Sequence, residues 1–108
     1  MTEQAMVVKA WSNSPRNPGA FYGLQVSEED RARYFRPAWK TVAVKLPGNY
    51  GTAIIRLSRF FWGTCPELRS ERIGRWLRGT GAAPWEPRKP PRFRLHPTGN
   101  ARFEIVTA

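Results

Sequence analysis

The segment Arg69-Ser-Glu-Arg-Ile-Gly-Arg-Trp-Leu-Arg-Gly79 sets four arginines at a spacing of three residues, at 69, 72, 75 and 78. Guanidinium groups at that density suit polyanions, because each is planar, permanently charged and offers a fork of N–H donors matching a phosphate or a guanine edge. Glu71 sits among them. A carboxylate in this setting can accept from the exocyclic amine of cytosine or orient a neighbouring arginine; its ordinary role would be an ion pair within a helix. On a helix the arginines form a drifting basic stripe, with Ile73, Trp76 and Leu77 placed to anchor it. Glycines at 74 and 79 each cost roughly 1 kcal/mol relative to alanine, so one helical turn followed by loop is expected. The plainer alternative is a solvated basic face over a tryptophan anchor.

The whole chain shares this bias. Its 108 residues carry 18 Lys+Arg against 8 Asp+Glu, a formal charge of +10, and 14 of the 18 are arginine, which favours bidentate recognition over point-charge attraction. Catalytic chemistry is argued against. The sole aspartate, Asp30, precedes no Glu-x-Lys that could build a metal-dependent nuclease site, and His96 has no second histidine. Ser58 and Cys65 lack a base beside them in sequence. A single cysteine excludes an internal disulfide and a cysteine-based zinc site. Neither a metal nor a cofactor is expected, and His96 reads as a turn residue. With no secretion signal and no apolar run of membrane length, the cytosol is the expected compartment and no membrane partner is implied.

The elements that must position these groups are mostly extended, and one domain over 1–108 is expected. Ala5-Met-Val-Val-Lys-Ala-Trp11 reads as a strand running into an irregular Pro/Asn/Gly-rich loop, and the chain extends again from Phe21 to Val26. Ser27-Glu-Glu-Asp30 opens a short helix with a capping hydroxyl and an acidic first turn, from which Ala32, Tyr34 and Phe35 can pack inward; Pro37 ends it. Residues 41–46 and 52–58 flank the turn formers Pro47-Gly-Asn-Tyr-Gly51 as a hairpin, and residues 92–95 and 102–106 flank His96-Pro-Thr-Gly-Asn100 as another. Between them the pattern is irregular, with a possible short helix from Pro66. The expected fold is mainly β: a pseudobarrel of about six or seven mostly antiparallel strands with one or two short helices.

The run Arg72-Ile-Gly-Arg-Trp-Leu-Arg-Gly79, preceded by a glutamate, resembles the Arg-Ile-x-Arg-Trp-x-Arg-Gly of B3-like DNA-binding pseudobarrels, in the version found as the N-terminal effector domain of EcoRII-like restriction endonucleases. Ser58-Arg59-Phe60-Phe61 similarly resembles that family's Ser-Arg-x-Phe element. The resemblance implies a wrench-like grip on duplex DNA, with two arms entering the major groove from opposite sides. The first arm would span residues 12–22, bringing Asn13, Arg16 and Asn17 to the DNA. The second would span residues 59–78, with Arg59, Arg69, Glu71 and Arg72 at bases or nearby phosphates and Arg75 and Arg78 beside them. Arg88 and Lys89, in the proline-rich stretch, are expected at phosphates. Ser14-Pro-Arg-Asn-Pro departs from the family's glycine-rich, threonine-containing first arm and leaves the target sequence open. Any cleavage would then belong to a nuclease domain or chain elsewhere. The competing readings are an RNA or single-strand binder stacking bases on Tyr22, Tyr50, Trp62 or Trp85, and a basic module for an acidic protein partner.

Overall fold

The computed structural model describes residues 5–14, 21–64 and 66–106. In chain order these form β1 (Met6–Ser12), β2 (Tyr22–Gln25), α1 (Glu28–Tyr34), β3 (Thr41–Lys45), β4 (Thr52–Arg56), α2 (Arg59–Trp62), β5 (Glu67–Arg69), α3 (Glu71–Gly79), β6 (Arg92–Gly99) and β7 (Arg102–Val106). The seven strands make one mixed sheet in the order β4-β3-β7-β6-β1-β2-β5, parallel only between β3 and β7. The outer strands β4 and β5 approach each other, so the sheet nearly closes into a barrel, and α3 packs against β2 and β4 over the seam. The architecture is the small β pseudobarrel expected, with three short helices. None of them is long and apolar enough to cross a membrane.

Alternation builds the core. Met6, Val8 and Ala10 of β1 point inward while Val7 and Lys9 face out, and Val42/Val44, Ala53/Ile55 and Phe103/Ile105 repeat the pattern. One end of this interior is aromatic: Phe35 lies 4.9 Å from Phe103 and 5.0 Å from Phe61 between ring centroids. α3 fills the seam with Ile73, Trp76 and Leu77, all buried, and the Trp76 ring lies 4.7 Å from that of Phe93.

Several local expectations give way to tertiary contacts. α3 runs unbroken through Gly74, because Ser70 caps it by accepting from the Arg72 and Ile73 amides at 3.1 and 3.4 Å and because its apolar face is wholly buried. A β-carbon at Gly74 would meet Tyr22 at 3.4 Å, an ordinary van der Waals contact, so the helix packs closely on β2 there without the position requiring glycine. Residues 67–69 are a strand and not a helix, paired with β2 where Gly23 lets the backbones meet; a β-carbon on Gly23 would lie 2.5 Å from the Leu68 carbonyl oxygen. His96 lies within β6 opposite Glu104, so the hairpin turn is tighter than residues 96–100 suggest. On α1, Phe35 is buried at the C-cap but Tyr34 is half-buried and Ala32 exposed, since seven residues present too little surface to bury a face.

Candidate nucleic-acid interface

Strand directions send one set of connections to one end of the barrel. β1 ends and β2 begins there, paired Ser12 to Tyr22, so the first arm emerges at this end. The junction of β5 with α3 joins it, as the Ser70 amide donates to the Tyr22 carbonyl at 3.2 Å. The β3–β4 turn arrives too, where Arg72 Nη1 donates to the Tyr50 carbonyl at 3.0 Å. The stretch before β6 completes the rim: the Ala10 amide donates to the Pro91 carbonyl at 2.8 Å, and Trp85 meets Tyr22 edge-on at 5.9 Å.

Arg69, Arg72, Arg75, Arg78, Arg88 and Lys89 are all exposed on these elements, as is Glu71. On α3 the three arginines turn about 120° around the axis, since each three-residue step falls about 60° short of a full turn. Arg72 therefore leans on the β3–β4 turn while Arg78 lies over the Tyr22 ring, 5.4 Å from its centroid. Among the described residues no hydrogen bond or ion pair engages the Glu71 carboxylate, so the ordinary intrahelical pair does not form. Its position in the first turn suits the helix dipole and leaves its oxygens open as acceptors.

Asn13 sits at the base of the first arm. Its Oδ1 accepts from the Phe21 amide at 2.9 Å and its own amide donates to the Phe21 carbonyl at 3.3 Å, closing the neck of the first arm. Arg16 and Asn17 lie outside the described residues. Arg59 stands apart from the arginines of this rim. It opens α2, near α1, whose Arg31 Nη1 donates to the Phe61 and Gly63 carbonyls at 2.6 and 2.8 Å. This places Arg59 at the far end of the β2–β5 pair from Arg69.

Arg88 occupies a strained position, with φ +65, at the third place of a turn closed by the Lys89 amide donating to the Glu86 carbonyl at 3.0 Å. Pro87 before it sets type II geometry, in which glycine is the residue of least cost. Arg88→Gly is therefore expected to stay within about 1 kcal/mol of the parent, at equal or higher Tm. A clear fall in Tm would mean that the arginine serves the turn.

Sequence alone does not reveal the contributions of Trp11, Glu67 and Asn49 to this end. Trp11 supports Arg69, whose guanidinium lies 4.6 Å from its ring centroid, Glu67 pairs with Arg69 at 3.1 Å, and Asn49 and Tyr50 line a recess of about 260 Å³ with Arg72 and Arg75. The only available signal was the Glu-x-Arg alternation of residues 67–69, which puts both side chains on one face once the segment is a strand. The proposed stacking platforms fare worse. Tyr22 is buried, and Tyr50, Trp62 and Trp85 pack partly into the core, because their rings fill the ends of the barrel. The exposed aromatics among the described residues are Phe21 and Phe60. No protein-family model matches the chain, and no curated protein or solved structure gives a significant match to it.

Proposed function

We propose that this domain binds duplex DNA in a sequence-specific manner, as the recognition part of a restriction system of the B3-like kind, with any cleavage performed by another domain or chain. The observation that carries this reading is the gathering of Arg69, Arg72, Arg75, Arg78, Arg88 and Lys89 on one rim, on elements separated in sequence but joined around the first arm. Aromatic rings beneath Arg69 and Arg78 hold two of these guanidiniums, as suits directed contacts. The first arm and the α3 arginines share this rim, and Arg59, at the other end of the barrel, is left out of the contact it would make. The burial of Tyr22 and partial burial of Tyr50, Trp62 and Trp85 weigh against bases stacking along a single strand.

The test is a titration of duplex and single-stranded DNA over a range of salt. Duplex is expected to win the competition, and its log K should fall with log salt at a slope of about −0.9 per phosphate neutralised; with four to six contacts, affinity falls on the order of 100-fold or more between 50 and 200 mM salt. Binding that is absent at low salt, or unchanged between the two salts, rejects the proposal. Preference for single strands favours the RNA or single-strand reading.

A further inference from the structure

We propose that Arg69 reads a guanine edge and that Glu67, with Trp11, is the positioning group that makes it a base contact instead of a phosphate contact. This rests on the duplex-DNA reading above. Registers across β1, β2 and β5 place Trp11, Gly23 and Arg69 side by side in one row, and Lys9, Gln25 and Glu67 in the next, all on the outward face. The opposite face of the same strands carries Ala10, Leu24 and Leu68 into the core. Gly23 has no side chain to stand between its neighbours, so the Arg69 side chain crosses it and lays its guanidinium over the Trp11 ring at 4.6 Å. From the same group Nη2 reaches Glu67 Oε1 at 3.1 Å. Exposure divides the pair: the Glu67 side chain is 5% exposed and that of Arg69 55%.

Two physical consequences follow. Stacking fixes the plane of the guanidinium and the ion pair fixes its rotation within that plane, so its free N–H groups point in a set direction before any ligand arrives. The nearby carboxylate also cancels most of the net charge that a phosphate would feel. What remains is a directed set of donors, well matched to neutral acceptors such as O6 and N7 of guanine and poorly matched to counter-ion displacement. Arg88, at an exposed turn tip, has no such carboxylate within ion-pair distance among the described residues and supplies the comparison.

The experiment measures affinity against salt on a cognate duplex, selected by the full chain from a random pool, and on a scrambled duplex, for the parent, Glu67→Gln, Arg69→Ala, Arg69→Lys and Arg88→Ala. Arg69→Ala is expected to lower cognate affinity roughly 10- to 100-fold, far more than scrambled affinity, and to erase a guanine preference at one position of the selected site. Glu67→Gln should strengthen scrambled binding, steepen the salt slope by about one and lower the cognate-to-scrambled ratio. Arg69→Lys, which keeps the charge, should lose the ratio as Arg69→Ala does. Arg88→Ala should instead reduce the slope by about one on both duplexes. If Arg69→Ala behaves like Arg88→Ala, or Glu67→Gln leaves slope and ratio where they were, the inference is wrong while duplex binding stands. A parent that binds no duplex overturns both. Should Glu67→Gln melt early, the two Arg69 variants decide the matter.

Discussion

Replacing Glu71 or Arg72 by alanine is expected to lower the ratio of cognate to non-cognate affinity by about 1–3 kcal/mol each, roughly 5- to 150-fold. The two residues open α3 at the rim, immediately after the Ser70 cap, so their side chains leave from a fixed backbone. Arg72 spends one N–H on the Tyr50 carbonyl at 3.0 Å, which orients the guanidinium and leaves its other donors for a ligand. Glu71 is the sharper probe, because its loss removes a negative charge. General attraction to DNA should rise in Glu71→Ala while discrimination falls, a pair of opposite signs that simple damage to the fold would not produce. Equilibrium binding of each variant to selected and scrambled duplexes at one fixed salt concentration measures both. A ratio that stays at the parent value in both variants would show that this arm is not the reading element.

Trp76→Ala is expected to destabilise the domain by about 3–5 kcal/mol and to lower its Tm by roughly 10 °C or more. The ring is 2% exposed, meets Phe93 at 4.7 Å, and lies between Ile73 and Leu77 on the buried face of α3. Truncation leaves a cavity where the helix seals the space between β2 and β4, and backbone contacts on both sides limit collapse into it. Since α3 carries Arg72, Arg75 and Arg78, duplex affinity should fall with stability, and Trp76→Phe should restore much of both. Thermal melting followed by circular dichroism, with binding measured well below the transition, separates the two effects. A Tm unchanged in Trp76→Ala would mean that the helix does not hold the barrel together.

What the amino-acid sequence determines here is what local physics can settle. Period-two alternation in residues 41–46 and 52–56, around a turn rich in Gly, Asn and Pro, specifies a hairpin with little reference to the rest of the chain, and β6–β7 follows the same logic. Ser27 and its acidic neighbours likewise announce α1. Residues 59–91 are opaque in the sequence because their structure depends on distant partners. β5 has only three residues and no periodicity to detect; it exists because Gly23, more than forty positions earlier, lets its backbone close on β2. The glycines that argued for breaking α3 are outweighed by burial of Ile73, Trp76 and Leu77, an energy unknown until the seam they fill is known. The site divides in the same way. Arginine at 69, 72, 75 and 78 is legible as a string of charges, but that Arg59 faces the other end of the barrel was decided by the course of β5. That Arg69 lies across Gly23 onto Trp11, against a buried Glu67, was decided by the register of three strands, because side chains two strands apart meet only when every residue between them is in step and the middle one is small.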